Sequence, residues 1–499
     1  MIMKKFTITV ISLFMVLLIS LSAVGEAMGT SSKYASNQDY IQSENLALKD
    51  KSNKMTDGKD SSVYRFKTRN GGESVIDLGE SCDFNSVILK EKGLNVQKFS
   101  ISVSDDNENF AEIYANDKIE FHRLCTFDTV KARYVKLTVE KSDNLPKIRE
   151  MEIYNSLPEK KSNFRVSTYS TLGNSIYGII DDTTLSAGEK DAKIKGLIDA
   201  DYYNTVTDYI DIGNVRWDEE GIIHTDGWDG IERDEDKYYA VMIRNLHEVL
   251  DEKGVNLVIT ILNPSGENGN QRVMKSITEN RDTLITNMIA FANKYEFDGI
   301  DLDWEFPMSQ DEFDAYNSFL QELKARMKTE MWNKEDATLS LALGTWALKY
   351  TPEAIECIDY VNVMGYDILD QDGQHSSFFS SCVQAADYIE SRGFSKEQIN
   401  IGFPFYGTWE GGRMEQYAYN AISEEISPFN NFYTMKKSDT QEDRYTYFNS
   451  QAIIRDKTAY AYLKGYGGVM IFSQYCDLPS DDERSLTKAI SDYLQEVTK

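Results

Sequence analysis

Beyond Asn163 the chain alternates between short apolar segments and longer segments of helical periodicity, which limits its fold more than any other feature. The apolar segments resemble buried parallel strands, and they lie at 164–169, 206–215, 256–262, 297–304, 337–343, 360–365, 399–403 and 468–472. The helical patterns lie at 236–252, 281–295, 311–330, 382–392, 450–463 and 481–496. Eight strands, mostly followed by helices, predict a (β/α)8 TIM barrel of the α/β class over 164–499. An open doubly wound sheet is the alternative, but no glycine-rich dinucleotide or phosphate fingerprint follows any strand.

The region before the barrel has a different pattern. Within residues 40–156, short strands of alternating apolar and polar residues are separated by turn clusters, and they lie at 74–78, 85–90, 99–104, 134–139 and 150–154. Period-two strands at this spacing predict an all-β sandwich. The polar stretch 157–163 is predicted to be a linker, which divides the chain into two domains.

The amino terminus has the pattern of a targeting segment. Lys4 and Lys5 precede an almost wholly apolar or hydroxyl-bearing run at 6–24, and Gly25 and Ala27 suit a cleavage site. We therefore predict a signal peptide at 1–27, a polar leader at 28–39 and a secreted, extracellular protein, with association to the cell surface left open. An uncleaved membrane anchor is the alternative. No other segment is apolar enough to span a membrane. We therefore expect that the mature form has no membrane partner.

The composition excludes some partners. The chain has 53 Lys and Arg against 81 Asp and Glu, a formal charge of −28, and 12% of its residues are aromatic. This balance argues against a nucleic-acid partner and suits a neutral ligand such as a sugar. The five Cys and four His are scattered without metal-ligand spacing, so we expect no metal site and no required cofactor. Cys82 and Cys125 could pair, but buried free thiols are the preferred interpretation.

The fourth predicted barrel strand carries the most informative side chains. Side chains alternate along a strand, so Asp301, Asp303 and Glu305 share one face and the intervening apolar residues share the other. The acidic face must then point into the barrel near its mouth. Three crowded carboxylates repel one another, so at least one should hold a proton at neutral pH and can act as a general acid. A solvated surface strand and a calcium loop are the alternatives; the apolar interleaving and the missing glycine argue against them.

Four motifs together resemble one enzyme family. The stretch from Asp298 to Glu305 is similar to the D-x-x-D-x-D-x-E signature of family 18 glycoside hydrolases, which include chitinases and endo-β-N-acetylglucosaminidases. Residues 364–367 (Met-Gly-Tyr-Asp), 401–407 (Ile-Gly-Phe-Pro-Phe-Tyr-Gly) and 467–473 (Gly-Gly-Val-Met-Ile-Phe-Ser) match further family motifs in the same order. The resemblance covers residues 164–499.

The resemblance implies a mechanism and a set of site residues. Glu305 would be the general acid, and the acetamido oxygen of the substrate itself would attack the anomeric carbon with overall retention. Asp303 would hold the acetamide N–H, Asp301 would share a proton with Asp303, and Tyr366 would donate to the acetamide oxygen. Asp298 lies outside the three carboxylates that share a face, so we expect it to have a structural role. The residues expected to bind the sugar are Met364, Asp367, Phe472, Trp346, Tyr406 and Trp409.

The chain also departs from the family pattern. Residues 260–263 (Thr-Ile-Leu-Asn) stand where the third strand usually ends in Ser-x-Gly-Gly, and Phe472 stands where a Trp is usual. Only about 40 residues follow Tyr406 before the next helix, too few for a separately cored module. The expected activity is hydrolysis of β-1,4-linked N-acetylglucosamine in chitin or chitooligosaccharides. The alternatives are cleavage of the chitobiose core of N-glycans, or an inactive glycan-binding lectin.

The N-terminal sandwich resembles discoidin-like domains, the coagulation factor type C fold that family 32 carbohydrate-binding modules use. The similarity lies in framework stretches at 76–79, 84–89, 99–106, 133–137 and 148–153. It implies a jelly-roll sandwich and a glycan-targeting role, with 57–58 and 69–70 as candidate loops. It also allows a structural calcium ion, for which the sequence identifies no ligands. Further aromatic candidates for sugar stacking in the barrel are Trp217 and Trp228.

Overall fold

The computed structural model describes residues 41–498, apart from 42, 50–52, 60, 121, 157–160, 162, 202–203, 228–229, 369–376, 410–411, 422–426, 437–441 and 480. The predicted signal peptide (1–27) and polar leader (28–39) lie outside these residues, as does most of the predicted linker at 157–163. Within the described part of the chain, no helix has both the length and the apolar character needed to cross a bilayer.

The N-terminal region folds as antiparallel strands, which confirms the all-β architecture predicted for it. The strands are β1 (Tyr64–Arg65), β2 (Gly72–Glu91), β3 (Val96–Ser104), β4 (Ala111–Asn116), β5 (Arg123–Ser142) and β6 (Lys147–Tyr154), paired in the order β1-β6-β2-β5-β3-β4. The register between the two long strands β2 and β5 shifts between Asp77 and Cys82 and again between Phe84 and Ser86. Such irregularities bend a strand, so both long strands can wrap around the buried apolar side chains.

Eight parallel strands of the C-terminal region close into a barrel, as predicted. They are β7 (Arg165–Ser170), β8 (Asp208–Trp217), β10 (Asn256–Leu262), β11 (Gly299–Leu302), β12 (Thr338–Leu343), β13 (Tyr360–Val363), β14 (Ile399–Pro404) and β19 (Gly468–Phe472). Pairing of β8 with β10 closes the ring, and the two-residue strand β9 (Ile223–His224) pairs antiparallel with β8. The apolar runs that predicted these strands are buried on both faces, as parallel strands require.

Helices surround the barrel. They are α1 (Gly173–Asp181), α2 (Ala187–Asp201), α3 (Tyr239–Leu250), α4 (Gly269–Thr278), α5 (Arg281–Lys294), α6 (Gln310–Glu330), α7 (Pro352–Cys357), α8 (Phe379–Ser391), α9 (Gln451–Lys464) and α10 (Leu486–Thr498). The sequence did not predict α1, α2, α4 and α7. In α2 the charged residues are spread around the helix, and α7 has only six residues, so neither has a recognisable apolar stripe.

A small antiparallel sheet follows β14, which the sequence did not predict. It contains β15 (Tyr406–Trp409), β16 (Gly412–Ala418), β17 (Phe432–Lys436) and β18 (Asp443–Tyr447) in the order β16-β15-β18-β17. Tyr419 and Phe448, which lie beside this sheet, belong to the core cluster of the barrel. The segment therefore packs onto the barrel core, in agreement with the expectation that it is too short for a core of its own.

The two domains share a buried interface. Ile88, Leu124 and Tyr154 of the sandwich belong to the barrel's apolar cluster, and Ala452 of α9 belongs to the cluster of the sandwich. The sandwich therefore packs directly on the barrel, and α9 forms part of the contact.

Candidate active site

Strand register places Asp301 at the centre of the barrel. The parallel pairing aligns Asp301 of β11 with Thr260 of β10 and with Ser340 of β12. Asp301 is fully buried and accepts hydrogen bonds from the hydroxyls of Ser340 (2.6 Å), Thr260 (2.8 Å) and Tyr169 (3.0 Å). Burial raises the pKa of Asp301, and the three hydroxyl donors oppose that rise.

Asp303 lies just beyond the end of β11, and the structure gives it fewer partners. Its Oδ1 atom is buried and has no hydrogen-bond partner among the described residues. Burial raises the pKa of Asp303 well above its usual range, and the charges of Glu305 and Asp301 raise it further. A buried carboxyl oxygen without a partner is costly, so this atom is available to a hydrogen-bond donor on a ligand or to a proton.

Glu305 lies beyond the carboxyl end of β11, where its side chain is exposed. The surrounding protein raises its pKa to about 7, mainly by desolvation and further through the negative charge of Asp367. A carboxylic acid with this pKa holds its proton in a large fraction of molecules at neutral pH. The site therefore contains one accessible acid that can donate a proton.

Aromatic rings from four strand ends form the wall beside these carboxyls. The ring of Phe472 stacks on Tyr366 at 6.1 Å and 21°, and it meets Tyr169 (5.9 Å) and Tyr406 (6.3 Å) edge to face. Tyr406 donates a 2.8 Å hydrogen bond to Oδ2 of Asp367. Burial raises the pKa of Tyr366 well above its usual range, and the charges of Asp367, Asp303 and Glu305 raise it further, so its hydroxyl stays protonated as a donor.

The other predicted sugar-binding residues occupy different environments. Met364 packs against the apolar cluster that contains Tyr169 and Tyr366. Trp346 is half-buried, and its ring lies 4.4 Å from that of Phe306 beside Glu305. Its indole Nε1 is buried and has no hydrogen-bond partner in the part of the chain that the structure describes.

Of the other three tryptophans proposed to stack on sugar, two have side chains outside the described residues and one is buried. Trp409 is in β15, but its side chain lies outside the described residues, as does Trp228. The prediction that Trp217 could stack on a sugar is wrong, because Trp217 is buried and its indole donates to Ser276 at 2.9 Å.

The structure also describes Asp298, the two cysteines that could have paired, and the groups that could hold a metal ion. Asp298 accepts the backbone N–H of Leu257 at 2.8 Å, in line with a structural role. Cys82 and Cys125 are free thiols and do not pair. In the described part of the chain, no group of three or more His, Cys, Asp or Glu could hold a metal ion.

The sequence did not identify the hydroxyl donors to Asp301. Tyr169 is the penultimate residue of the first barrel strand and Ser340 lies within the fifth, so their position on barrel strands was the available signal. In the sequence, Thr260 is recognisable only as part of a stretch that departs from the family motif. In the structure its hydroxyl donates to Asp301, so the changed stretch still supplies a hydrogen-bond donor there.

Residues 252–477 match the sequence profile of the family described as "Glycosyl hydrolases family 18". This range contains the carboxylate strand, Tyr366 and Phe472. The barrel is a family 18 glycosyl hydrolase domain. Residues 32–151 match the "F5/8 type C domain", so the N-terminal sandwich is a discoidin-like domain.

Individual relatives are similar to shorter segments of the chain. A segment of 104 residues is 38% identical to the killer toxin subunits alpha/beta of Kluyveromyces lactis, covering 18% of this chain and 9% of that protein. A segment of 179 residues is 26% identical to the class V chitinase CHIT5a of Medicago truncatula, covering 31% and 47%. This chain spans less than half the length of either.

A solved structure shares the fold of the family 18 barrel. It is a chitinase from Bacteroides thetaiotaomicron, with a TM-score of 0.50 and 19% identity, and the match covers 67% of this chain and 97% of that one. At this identity the likeness supports the barrel fold of the family 18 domain and nothing about its substrate.

Proposed function

We propose that the protein is a secreted, retaining glycoside hydrolase that cleaves β-1,4-linked N-acetylglucosamine in chitin or chitooligosaccharides by substrate-assisted catalysis. The observation that carries the proposal is the contrast between two neighbouring carboxyls. Glu305 is accessible and has a pKa of about 7, whereas Asp303 is partly buried with an oxygen that has no hydrogen-bond partner. One carboxyl suits proton donation, and the other suits a polar group on the substrate.

Glu305 would protonate the glycosidic oxygen as the bond to the leaving sugar breaks. The acetamido oxygen of the sugar on the non-reducing side would attack the anomeric carbon and form an oxazolinium ion. Water, activated by the Glu305 carboxylate, would then open this ion from the opposite face. Two inversions at the anomeric carbon give overall retention.

Asp303 and Tyr366 would act on the acetamido group. Asp303 would accept the acetamide N–H, and once its proton has passed to Asp301 its negative charge would offset the positive charge that develops on the oxazolinium ion. The protonated hydroxyl of Tyr366 would donate to the acetamide oxygen and orient it for attack. Asp301 remains buried among three hydroxyl donors, so its charge would act on Asp303 rather than on the substrate.

The ring cluster supports a sugar as the ligand. Phe472 packs against Tyr366 and Tyr406, and rings at strand ends can stack on the apolar face of a pyranose. The net charge of −28 favours a neutral polymer over a polyanion. The class V chitinase of Medicago truncatula, to which part of this chain is similar, is named for the same substrate class. The discoidin-like domain would bind glycan and keep the enzyme near it.

The test compares two substrates by mass spectrometry of their products. One reaction contains N-acetylchitotetraose and the other a high-mannose glycoprotein, each with the wild-type protein, Glu305→Gln and the exposed-site control Glu322→Gln. Shortened oligosaccharides, formed by the wild type and Glu322→Gln but lost in Glu305→Gln, would support the proposal. Proton nuclear magnetic resonance of the first product would show the β-anomer if configuration is retained.

Other outcomes assign other functions. Release of the glycan with one N-acetylglucosamine left on the protein would replace the chitin substrate with the core of N-glycans. Binding of N-acetylchitotetraose without any product would contradict hydrolysis and favour a lectin. The secretion proposal is checked by the intact mass of the exported protein, which should lack residues 1–27.

A further inference from the structure

Both domains build the start of helix α8. This helix follows the segment that carries Tyr366 and Asp367, and its first backbone N–H groups need acceptors. The N–H groups of Phe379 and Ser380 donate to the carboxylate of Glu120 at 3.2 Å and 2.6 Å, and the Ser380 hydroxyl donates to it as well. Glu120 belongs to the discoidin-like domain, where it lies between β4 and β5.

Glu120 takes the place of a local helix cap. The residue at the N-cap position of α8 is Phe378, whose side chain has no hydrogen-bond acceptor. A helix N-terminus carries a partial positive charge and is stabilised by a nearby carboxylate. Because Glu120 is only 6% exposed, water does not compete effectively for these N–H groups. The cap of this barrel helix therefore comes from the other domain.

Further contacts hold the same helix start between the domains. The Arg123 guanidinium lies over the ring of Phe379 at 5.3 Å, and Arg123 Nη1 is 3.8 Å from Glu120. The His122 ring stacks on Phe379 at 6.3 Å and 15°. From the barrel side, Lys457 Nζ donates to the carbonyl oxygen of Ser377 at 2.8 Å.

The first turn of α8 in turn supports the backbone beside Tyr366. The Ser381 hydroxyl contacts the carbonyl oxygen of Gly365 at 3.4 Å, as well as that of Phe378 at 2.7 Å. A Cβ atom on Gly365 would lie 3.5 Å from Ala385 Cβ, so the backbone here rests directly on α8. A continuous set of contacts therefore runs from Glu120, through the first turn of α8, to the residue before Tyr366.

We propose that Glu120 is a positioning residue for Tyr366, which makes the discoidin-like domain a structural part of the active site. This inference rests on the proposed function, in which Tyr366 donates to the acetamide oxygen. Loss of the cap would let the first turn of α8 fray and shift the Tyr366 hydroxyl. The rate of the chemical step would fall because Tyr366 orients the attacking group, whereas sugar binding would change little.

The experiment measures kcat and KM on N-acetylchitotetraose for Glu120→Ala and Glu120→Gln. Loss of a helix cap of ordinary strength predicts a kcat about 10-fold lower for Glu120→Ala, with KM changed less than about twofold. Glu120→Gln keeps one acceptor and should retain more activity. The matched control is Glu91→Gln, because Glu91 is a buried sandwich glutamate that accepts the N–H groups of Asn95 and Val96 within its own domain. It should leave kcat unchanged.

A double-mutant cycle separates positioning from general destabilisation. In a Tyr366→Phe background the hydroxyl is absent, so adding Glu120→Ala should lower kcat much less than it does in the wild type. An undiminished loss in that background would overturn the inference, as would an equal loss of kcat in Glu91→Gln.

Hydrogen exchange tests the cap without any substrate. The amides of Phe379 and Ser380 should exchange faster in Glu120→Ala than in the wild type, while those of α6 do not change. Unchanged exchange at these two amides would overturn the inference whatever the activity. A wild-type protein that cleaves no sugar, but shows the faster exchange in the variant, would instead refute the proposed function and the positioning of a catalytic Tyr366, leaving only a structural cap.

Discussion

At the residue scale, one short strand and the residues that follow it place three carboxyls in three different environments. Asp301, within β11, is surrounded by hydroxyl donors, Asp303 has a buried oxygen without a partner among the described residues, and Glu305 is exposed. Burial raises the pKa of all three, but only Glu305 is both accessible and near neutrality, with a pKa of about 7. The difference in environment, and not the residue type, makes Glu305 the proposed proton donor.

The pKa of Glu305 predicts the alkaline limit of activity. In the proposed mechanism the protonated form is the active acid, so kcat/KM should be retained below pH 7 and fall as the pH rises through about 7. Asp367→Asn removes a negative charge that helps to raise this pKa, so the alkaline limb should move to lower pH by at least about 0.5 unit. The measurement is the pH dependence of kcat/KM on N-acetylchitotetraose.

Asp298→Asn is the control for the pH dependence, because Asp298 belongs to the same motif but accepts a backbone N–H on β10. Its alkaline limb should stay at the wild-type position. An unshifted limb in Asp367→Asn would mean that the charge of Asp367 does not act on Glu305.

At the element scale, the register of three parallel strands builds the polar centre of the barrel. Thr260, Asp301 and Ser340 are aligned across β10, β11 and β12, so three adjacent inward-facing side chains meet. Tyr169 from β7 completes the set across the barrel. A shift of one residue in any of these strands would turn its side chain to the other face and leave the buried carboxyl with fewer donors.

Thr260→Val tests the contribution of this register. Valine keeps the shape of threonine but removes the hydroxyl that donates to Asp301 at 2.8 Å. We expect a loss of about 1.5–3 kcal/mol in the free energy of unfolding, the usual range for a hydrogen bond to a charged group. Urea denaturation measures this loss. Thr260→Ser keeps the hydroxyl and should lose less; equal losses would assign the effect to the methyl group.

At the scale of the whole molecule, a fully buried charge network joins the two domains. Asp456 of α9 accepts hydrogen bonds from Tyr114 (2.6 Å), Arg123 (3.2 Å) and the N–H of Thr126 (2.7 Å), all from the sandwich. Burial raises the pKa of Asp456 to about 6, although the Arg123 charge opposes the rise. Removing one partner of a buried pair leaves the other charge uncompensated, so the domains should depend on each other for stability.

Asp456→Ala should lower the free energy of unfolding by about 3–5 kcal/mol, because Arg123 would remain buried without its closest carboxylate. Differential scanning calorimetry should show a lower midpoint, or two separate transitions where the wild type has one. Asp128→Ala is the matched control. Asp128 pairs with Arg455 across the same interface at 3.3 Å but is 93% exposed, so its loss should cost less than about 1 kcal/mol. Equal losses in the two variants would show that burial of the pair is unimportant.

The sequence by itself determined the architecture of both domains and the identity of the carboxylate strand. Buried parallel strands leave long apolar runs, and the interleaving with apolar residues predicts one face for Asp301, Asp303 and Glu305, of which the strand itself contains only Asp301. These signals are local, since each depends on neighbours within a few positions. Helices without an apolar stripe, such as α2, and the small sheet after β14 lacked a signal of that kind.

Only the tertiary structure decided which distant residues meet. Tyr169 and Ser340 are 132 and 39 positions from Asp301, yet both donate to it. Glu120 lies 260 positions before Ser380 and still caps its helix. Trp217 was a candidate for sugar stacking until its burial placed it in the core. Hydrogen bonds and burial depend on distances in space, and barrel closure and domain docking set those distances across separations that no local pattern records.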